Sequence, residues 1–303
     1  KTGNESNQLE TVYSYDEYNI LNGINTGNKT VQDITYDFDE REGTLNFRKG
    51  LIKDIQETFT YDNLNQLEGV SSSMSSLNLD MTYSSGVTGR MESKSDVGTF
   101  QYNSSRPHAI TKIDPGVTGY SPVNTDTIIY TSFGKVKRIE QGNYIVEFTY
   151  GPNHQRKVME VYQNDALKRK VYYFGNYERH EVNGLVSHIY YLFSPTGLTA
   201  VYKKDEGTSG EMYYIHKDHL GSIHAVTNQN QTVVARYHYN VWGLKRNLNA
   251  AGNGFSEINN LPWLHRGFTG HEHITEIGLI NMNGRVYDPD LGMFISPDPR
   301  LQA

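Results

Sequence analysis

The sequence predicts an all-β fold, a spiralling ribbon of antiparallel β-hairpins that ends in a separate C-terminal core segment. Three observations predict it: a tyrosine that recurs about every two dozen residues, turn-forming residues after many of these tyrosines, and strand-like alternation before them. Aspartate follows the tyrosine in the clearest copies, at Tyr15, Tyr36 and Tyr61. A period of this length over most of the chain is typical of a repeat array, in which neighbouring units stack to bury their apolar faces.

Each repeat is predicted to be one hairpin. In the clearest copy, Glu57–Tyr61 alternates like a strand, residues 62–66 are turn formers, and Leu67 begins the return strand. Eleven such units would give about 22 strands, and the accumulated strand twist should coil so long a ribbon. The weaker copies of the tyrosine lie at Tyr83, Tyr102, Tyr130, Tyr150, Tyr173, Tyr191, Tyr214 and Tyr239.

Composition narrows the function classes. The chain has 303 residues, and its 23 tyrosines suit sheets with one half-polar face. The net charge is −6 and the basic residues are scattered, which argues against nucleic-acid binding. Cysteine is absent, so disulfides and thiolate metal sites are excluded. No run of 18 apolar residues predicts a membrane-spanning helix.

The periodic pattern ends near residues 246–262. We therefore predict two parts, a hairpin array over residues 1–245 and a motif-dense core segment over residues 246–303. The best short helix candidate is Phe255–Leu264. The serine-rich stretch Ser71–Ser76 is predicted to be an enlarged hairpin loop, with an interdomain linker as the alternative.

Histidine-rich stretches raise the question of a metal site. His216, Asp218, His219 and His224 could approach one another around a turn, but a structural role is the favoured interpretation. The sequence 271–273, with one glutamate between two histidines, does not have the spacing of a helical zinc motif and is expected to form an exposed strand. We expect neither a metal nor a cofactor.

The aspartates and tyrosines of the repeats also allow two interpretations each. Asp16, Asp37 and Asp62 could suggest calcium loops, but the spacing of a calcium loop is absent and turn capping is favoured. The tyrosine ladder could bind carbohydrate. Packing between neighbouring hairpins is the favoured alternative.

Two ordered stretches carry a family resemblance. The first is residues 218–222 (Asp-His-Leu-Gly-Ser), followed by Trp242-Gly243. The second begins at residues 268–272 (Phe-Thr-Gly-His-Glu) and continues through residues 287–289 (Tyr-Asp-Pro) to residues 296–299 (Ser-Pro-Asp-Pro). Together with the upstream Tyr-Asp copies, they resemble the Rhs-associated core and YD repeats of Rhs/YD-repeat proteins. That family includes bacterial polymorphic toxins, the C subunits of insecticidal toxin complexes, and animal teneurins, and the resemblance covers nearly the whole chain.

The resemblance implies a hollow shell that encloses a variable C-terminal toxin and is closed at one end by the core segment. In many members the core is also an aspartic autoprotease that cuts the toxin free. By motif position, Arg285 and Asp298 match two of the three cleavage residues of the family. The third, an aspartate in a later Asp-Pro-x-Gly motif, has no counterpart in this sequence.

Aspartic proteolysis needs two carboxylates that share a proton, and Asp298 alone cannot both activate water and protonate the leaving group. We therefore expect these 303 residues not to cut peptides by themselves. For Arg285, a structural ion pair with Asp288 or Asp298 is the alternative.

The expected function is a structural shell fragment of a secreted or cell-surface bacterial toxin that encapsulates and delivers a C-terminal toxin cargo. The expected partners are that toxin domain or the remaining YD-repeat shell, with self-association through an open sheet edge as a further expectation. Two alternatives stay open: the autoprotease core, and an adhesin or glycan-binding cell-surface module.

Overall fold

The computed structural model describes residues 2–4, 7–50, 55–85, 89–103, 106–114, 125–246 and 261–296. The chain forms two compact units. One comprises residues 10–122 and 250–255, and the other comprises residues 1–9, 123–249 and 256–303. Regular structure in the described residues is antiparallel β-sheet with 3-10 turns at Ser75–Leu77 and Phe268–Gly270, which confirms the all-β prediction. None of the described helical elements is long and apolar enough to cross a bilayer.

The first strands form a short isolated pair, β1 (Thr2–Asn4) with β2 (Asn7–Leu9). A ten-stranded sheet follows, in which every strand pairs with its sequence neighbours and no crossover occurs. Its strands are β3 (Thr11–Tyr15), β4 (Leu21–Thr26), β5 (Gln32–Phe38), β6 (Leu45–Gly50), β7 (Gln56–Tyr61), β8 (Leu67–Ser72), β9 (Leu79–Tyr83), β10 (Met91–Lys94), β11 (Gly98–Asn103) and β12 (Arg106–Asp114).

An eleven-stranded sheet, called here the hairpin sheet, follows the same simple order. Its strands are β13 (Thr125–Tyr130), β14 (Val136–Gln141), β15 (Tyr144–Tyr150), β16 (Arg156–Gln163), β17 (Ala166–Phe174), β18 (Tyr177–Val182), β19 (Leu185–Ser194), β20 (Gly197–Asp205), β21 (Glu211–Lys217), β22 (Ile223–Asn228) and β23 (Val233–Arg236). The two large sheets together come close to the strand number that the tyrosine period predicts.

Residues 261–296, called here the C-terminal segment, contain four short strands in a sheet of their own. These strands are β24 (Glu272–Ile274), β25 (Leu279–Asn281), β26 (Val286–Asp288) and β27 (Met293–Phe294). The segment belongs to the same compact unit as the hairpin sheet.

Several turns between strands are fixed by one side chain. Asp62 Oδ1 accepts hydrogen bonds from the backbone N–H groups of Leu64 and Gln66, both at 2.8 Å, while Asn65 adopts φ = 60°. Asn and Gly tolerate this left-handed conformation, which explains their place in the repeat. Turn capping is confirmed at Asp62 and at Asp16. It is wrong at Asp37, which lies in β5 and accepts from the Asn46 side chain, while Asp39 caps that turn. The same five-residue turn recurs, with an equivalent acceptor, at Asp16, Asp218, Asn228 and Asn240.

The repeat tyrosines connect neighbouring hairpins. The Tyr61 hydroxyl donates to the backbone carbonyl of Leu45 at 2.9 Å, and Leu45 is the first residue of the return strand in the preceding hairpin. Burial raises the pKa of Tyr83 and Tyr150 to about 12, so these hydroxyls stay protonated and able to donate. This bond supports the interpretation of the tyrosine ladder as packing between hairpins. Its equivalents are Tyr83 to Leu67, Tyr102 to Met91 and Tyr150 to Val136.

Two local predictions have clear outcomes. Ser71 and Ser72 end β8, and Ser73–Ser76 lie in the connection to its paired strand β9, which includes a 3-10 turn, so the enlarged-loop prediction is confirmed over residues 73–76. The helix candidate at 255–264 is wrong over its described part, because residues 261–264 form a turn. Residues 255–260 lie outside the described residues.

Candidate functional site where the C-terminal segment covers the hairpin sheet

The C-terminal segment packs against inward-facing residues of the hairpin sheet. Met159 and Val171 of the sheet are fully buried in one cluster with Ile274 and Leu279 of the segment. A second cluster joins Leu264 of the segment to residues of β19–β23. The site is therefore a layered contact, with apolar clusters around a set of buried charged side chains.

Two glycines of the family motifs allow this close contact. A Cβ atom on Gly243 would lie 2.4 Å from the Phe268 ring, and one on Gly292 would lie 2.9 Å from the Trp242 indole. Both glycines also have positive φ, at 91° and 68°. Glycine at these positions is thus required both by the space and by the backbone.

The first buried charge is Glu272, at the start of β24. Its carboxylate lies 2.7 Å from the Arg156 guanidinium of β16 and accepts a hydrogen bond from the Tyr173 hydroxyl of β17 at 2.8 Å. The Arg156 guanidinium also lies 4.2 Å from the centre of the Tyr173 ring. Since Glu272 is only 4% exposed, the prediction of an exposed strand at residues 271–273 is wrong at this residue.

The second buried carboxylate is Glu178 of β18. It accepts hydrogen bonds from Arg266 of the C-terminal segment at 2.8 Å and from Tyr191 at 3.1 Å, and it contacts His180 at 2.9 Å. Burial raises the pKa of Glu178, but the His180 hydrogen bond and the Arg266 charge outweigh burial and hold the pKa at about 2. The carboxylate is therefore ionised at neutral pH.

A third pair lies between β17 and the turn after β24. Arg169 donates two hydrogen bonds to Glu276, at 2.8 and 2.7 Å, in the bidentate geometry that gives strong pairs. Arg169 is only 3% exposed. Three arginines are thus matched by three carboxylates, and each pair joins the hairpin sheet to the C-terminal segment.

Three histidines of the C-terminal segment lie beside these pairs. Burial, followed by the charge of Arg169, lowers the pKa of His265 well below its ordinary value. Burial, followed by the charge of Lys245, lowers the pKa of His273 to about 4, and its Nε2 accepts the backbone N–H of Phe268 at 3.0 Å. Burial also lowers the pKa of His271. At pH 7 all three are neutral.

The histidines upstream do not form a shared ligand set in the described part of the chain. His216 bonds to Thr227 within the sheet at 3.0 Å, and Asp218 caps its own turn through the N–H groups of Leu220 and Ser222. Within the described residues, no three histidine, aspartate or glutamate side chains come together in a group that could hold a metal ion. Asp218 therefore has a structural role, as favoured from the sequence.

Of the two residues predicted by motif position, Arg285 is described by the structure and Asp298 is not. The Arg285 guanidinium lies 3.6 Å from the centre of the Phe294 ring, a cation–π contact between the β25–β26 turn and β27. Asp298 lies outside the described residues.

Sequence reasoning missed the carboxylates and arginines of the contact. The signal that could have identified them is the register of paired strands, which shows which side chains face inward. Glu178 and His180 alternate with half-buried neighbours on β18, and Glu178 lies opposite Ile189, a fully buried residue of β19. Charged residues in register with a buried apolar neighbour point inward, and buried charges need partners.

Comparison with known proteins shows which family this chain resembles. The Teneurin YD-shell family model matches residues 4–302. The tRNA nuclease WapA of Bacillus subtilis (strain 168) is 25% identical over 314 residues, covering 95% of this chain and 12% of that protein. Salivary gland surface protein 1 of Aedes aegypti is 33% identical over 114 residues, covering 37% of this chain and 3% of that protein.

Solved structures give the same fold. The crystal structure of TcdB2-TccC3-TEV superposes with a TM-score of 0.74 at 14% identity, covering 96% of this chain and 17% of that chain. The structure of TcdB2-TccC3 without its hypervariable C-terminal region superposes with a TM-score of 0.69 at 15% identity, with the same coverage. The chain thus spans less than a fifth of these relatives. The family match over nearly its whole length shows that this chain belongs to the teneurin YD-shell family.

Proposed function

We propose that this chain is part of the wall of a YD shell that encloses and delivers a C-terminal toxin cargo. The observation that carries the proposal is the unbroken order of strands in both large sheets, in a fold that matches a TcdB2-TccC3 structure over 96% of the chain. Interior strands pair on both sides, so their backbone groups leave no gap for water or a protease. The mechanism is containment of a polypeptide behind this barrier.

The comparisons support a cargo carried elsewhere in the parent protein. One structural neighbour is described as lacking a hypervariable C-terminal region, and one relative is named a tRNA nuclease. This chain matches only 17% of the first and 12% of the second. A constant wall followed by a variable active region fits both observations. We place the parent protein outside a bacterial cell, either secreted or at the cell surface.

The C-terminal core segment has a separate role in this proposal. We assign residues 1–245 to the wall and residues 246–303 to the core segment that closes it. The buried pairs formed by Glu178, Glu272 and Glu276 support this role because they join the two parts with defined geometry. Buried charge pairs of defined geometry favour one docking arrangement where apolar contacts alone permit several.

The edges of the sheets supply the proposed partner surface. β3 is an edge strand of the ten-stranded sheet and exposes Val12, Tyr13 and Tyr15. Edge strands invite pairing with another strand. We propose that further hairpins of the parent shell pair there and that the isolated chain self-associates. A dilute sample that elutes as a stable monomer from a size-exclusion column would contradict the second part.

The test of containment uses the parent protein. A broad-specificity protease is added to the intact shell, and survival of the cargo is followed by mass spectrometry. We expect the cargo to survive longer than the same cargo expressed alone, and to be digested faster in the variant Glu272→Ala than in the control Glu160→Ala. A cargo that is digested at the same rate inside and outside the shell would exclude containment.

A second candidate function is the autoprotease. It is favoured by the fixed position of the Arg285 guanidinium over β27, a few residues before Asp298. In the parent protein, a self-cleaved fragment should appear and should disappear in the variant Asp298→Asn. The same cleavage in the variant would exclude a catalytic role for Asp298.

A further inference from the structure

The charges at the contact are balanced only while its histidines are neutral. The carboxylates of Glu178, Glu272 and Glu276 each pair with one arginine. His265, His271 and His273 are buried or partly buried beside those pairs, and each already has a lowered pKa. A proton on any of these rings would add a positive charge for which no unpaired carboxylate of these pairs remains. Unpaired charge in a protein interior is strongly unfavourable.

The groups that face these histidines increase that cost. The buried His265 ring lies 5.6 Å from the His180 ring, and Arg169, His180 and His273 each lower the pKa of His265. His273 faces Lys245 and His271, and His271 faces Arg266. The neighbouring phenols of Tyr173 and Tyr191 are neutral at ordinary pH, since burial raises the pKa of both. His180 differs from the other histidines, because it shares Glu178 with Arg266.

We propose that the contact between the C-terminal segment and the hairpin sheet is an acid-sensitive latch. Protonation of His265, His271 and His273 releases the segment from the sheet while the hairpins themselves stay folded. This goes beyond the proposed containment function, because the latch is a property of these residues whether or not a cargo is enclosed.

The direction follows from the two states of His273. Its pKa is about 4 in the closed contact and near the ordinary 6.5 when released. Above about pH 6.5 both states are neutral and the closed contact has no penalty. As the pH falls from 6.5 toward 4, only the released state takes up the proton, so closure becomes less favourable. Between pH 7 and pH 5 the closing equilibrium falls about 20-fold for this one histidine.

The pair of Glu178 with Arg266 does not titrate in the same range. The pKa of Glu178 is about 2, so its pair with Arg266 is intact at pH 5. The hairpins are also held by backbone hydrogen bonds, which have no titrating group in this range. In the sheet, burial also lowers the pKa of His216 of β21 to about 4. Release of the segment should therefore precede unfolding of β15–β19, which do not contain His216.

The two tryptophans of the chain report on the latch. Trp263 lies in the segment, with its ring 4.9 Å from that of Tyr213 in β21. Trp242 follows β23 and contacts the turn at Gly292. Both lose these partners when the segment is released, so their emission should shift to longer wavelength.

The experiment measures tryptophan emission and amide hydrogen exchange of this chain from pH 7 to pH 5, with exchange rates corrected for their intrinsic pH dependence. We expect amides of β24 and β25 to lose protection and emission to shift, while amides of β15–β19 stay protected. Unchanged protection of β24 and β25 at pH 5 would overturn the latch. Simultaneous loss of protection in segment and sheet would overturn it too.

Substitution assigns the effect to the histidines. In the double variant His265→Gln and His273→Gln, the transition should move to lower pH by at least about half a unit. The control His154→Gln, which changes an exposed histidine of the β15–β16 turn, should leave it in place. A transition that does not move in a folded double variant would overturn the proposal. If the variant does not fold, the exchange pattern of the unaltered chain decides.

Discussion

The two large sheets use the same repeat turn and the same tyrosine bond but are buried differently. In the hairpin sheet, Met159 and Val171 are fully buried in a cluster that includes Ile274 of the C-terminal segment. In the ten-stranded sheet, the cluster of Ile24, Ile34 and Tyr36 comes from two neighbouring strands. Local sequence therefore builds both sheets, and among the described residues a segment distant in sequence completes the core of the hairpin sheet.

Their buried ion pairs differ in the same way. In the ten-stranded sheet, Arg48 and Glu57 pair across neighbouring strands and are nine residues apart. In the hairpin sheet, the pair of Glu178 with Arg266 spans 88 residues. A cross-strand pair strengthens a hairpin that already exists, whereas a long-range pair determines where a separate segment docks. This difference matches the separation of the proposed wall function from the proposed closing function.

The largest expected effect on the free energy of unfolding comes from breaking a long-range ion pair. The variant Glu272→Ala leaves Arg156 and Tyr173 buried without their partner, so it should lower the free energy of unfolding by about 3–5 kcal/mol. In the control Glu160→Ala, the lost pair with Lys170 is partly exposed and the decrease should stay below about 1 kcal/mol. Denaturant titration with tryptophan emission measures both. Equal decreases in the free energy of unfolding would show that the buried pair stabilises the fold no more than the partly exposed pair does.

The next effect compares the two cores. Ile274→Ala should cost about 2–5 kcal/mol, toward the upper end, because the site is enclosed by two layers and cannot collapse. Ile24→Ala should lie toward the lower end, because its cluster is small and can relax. Hydrogen exchange resolves the two sheets separately. A larger loss of protection for Ile24→Ala would reverse the comparison.

The smallest effect concerns what the sheets share. Tyr61→Phe and Tyr150→Phe each remove one hydroxyl bond to a backbone carbonyl, which should cost about 0.5–1.5 kcal/mol in either sheet. Local exchange protection of the adjacent strands measures both variants. Costs that differ by more than about 1 kcal/mol would mean that the tyrosine bond is not an equivalent device in the two sheets.

The predictable part of this fold is the local part. Tyr61, Asp62 and Asn65 act on residues within one or two hairpins, so their spacing predicted strands, turns and the role of the aspartate. Antiparallel neighbours in sequence are also neighbours in space, which made the strand order predictable from the period alone.

The contact of the C-terminal segment was less predictable because its strands are short and its partners are distant. β24 to β27 have two or three residues each, too few for an alternation pattern to be recognised. Glu272 between two histidines has the composition of an exposed strand, and only its partners Arg156 and Tyr173, about 100 residues away, make burial favourable. Family resemblance located Arg285, but the chemistry of the buried pairs came from the structure.

The most direct test of the account is a double-mutant cycle between Glu178 and Arg266. Denaturant unfolding is measured for Glu178→Gln, Arg266→Met, the double variant and the unaltered chain. We predict a coupling energy of at least about 1.5 kcal/mol, because the two groups form a close, buried charge pair. Additive effects, with a coupling energy below about 0.3 kcal/mol, would contradict the claim that this pair fastens the segment to the sheet.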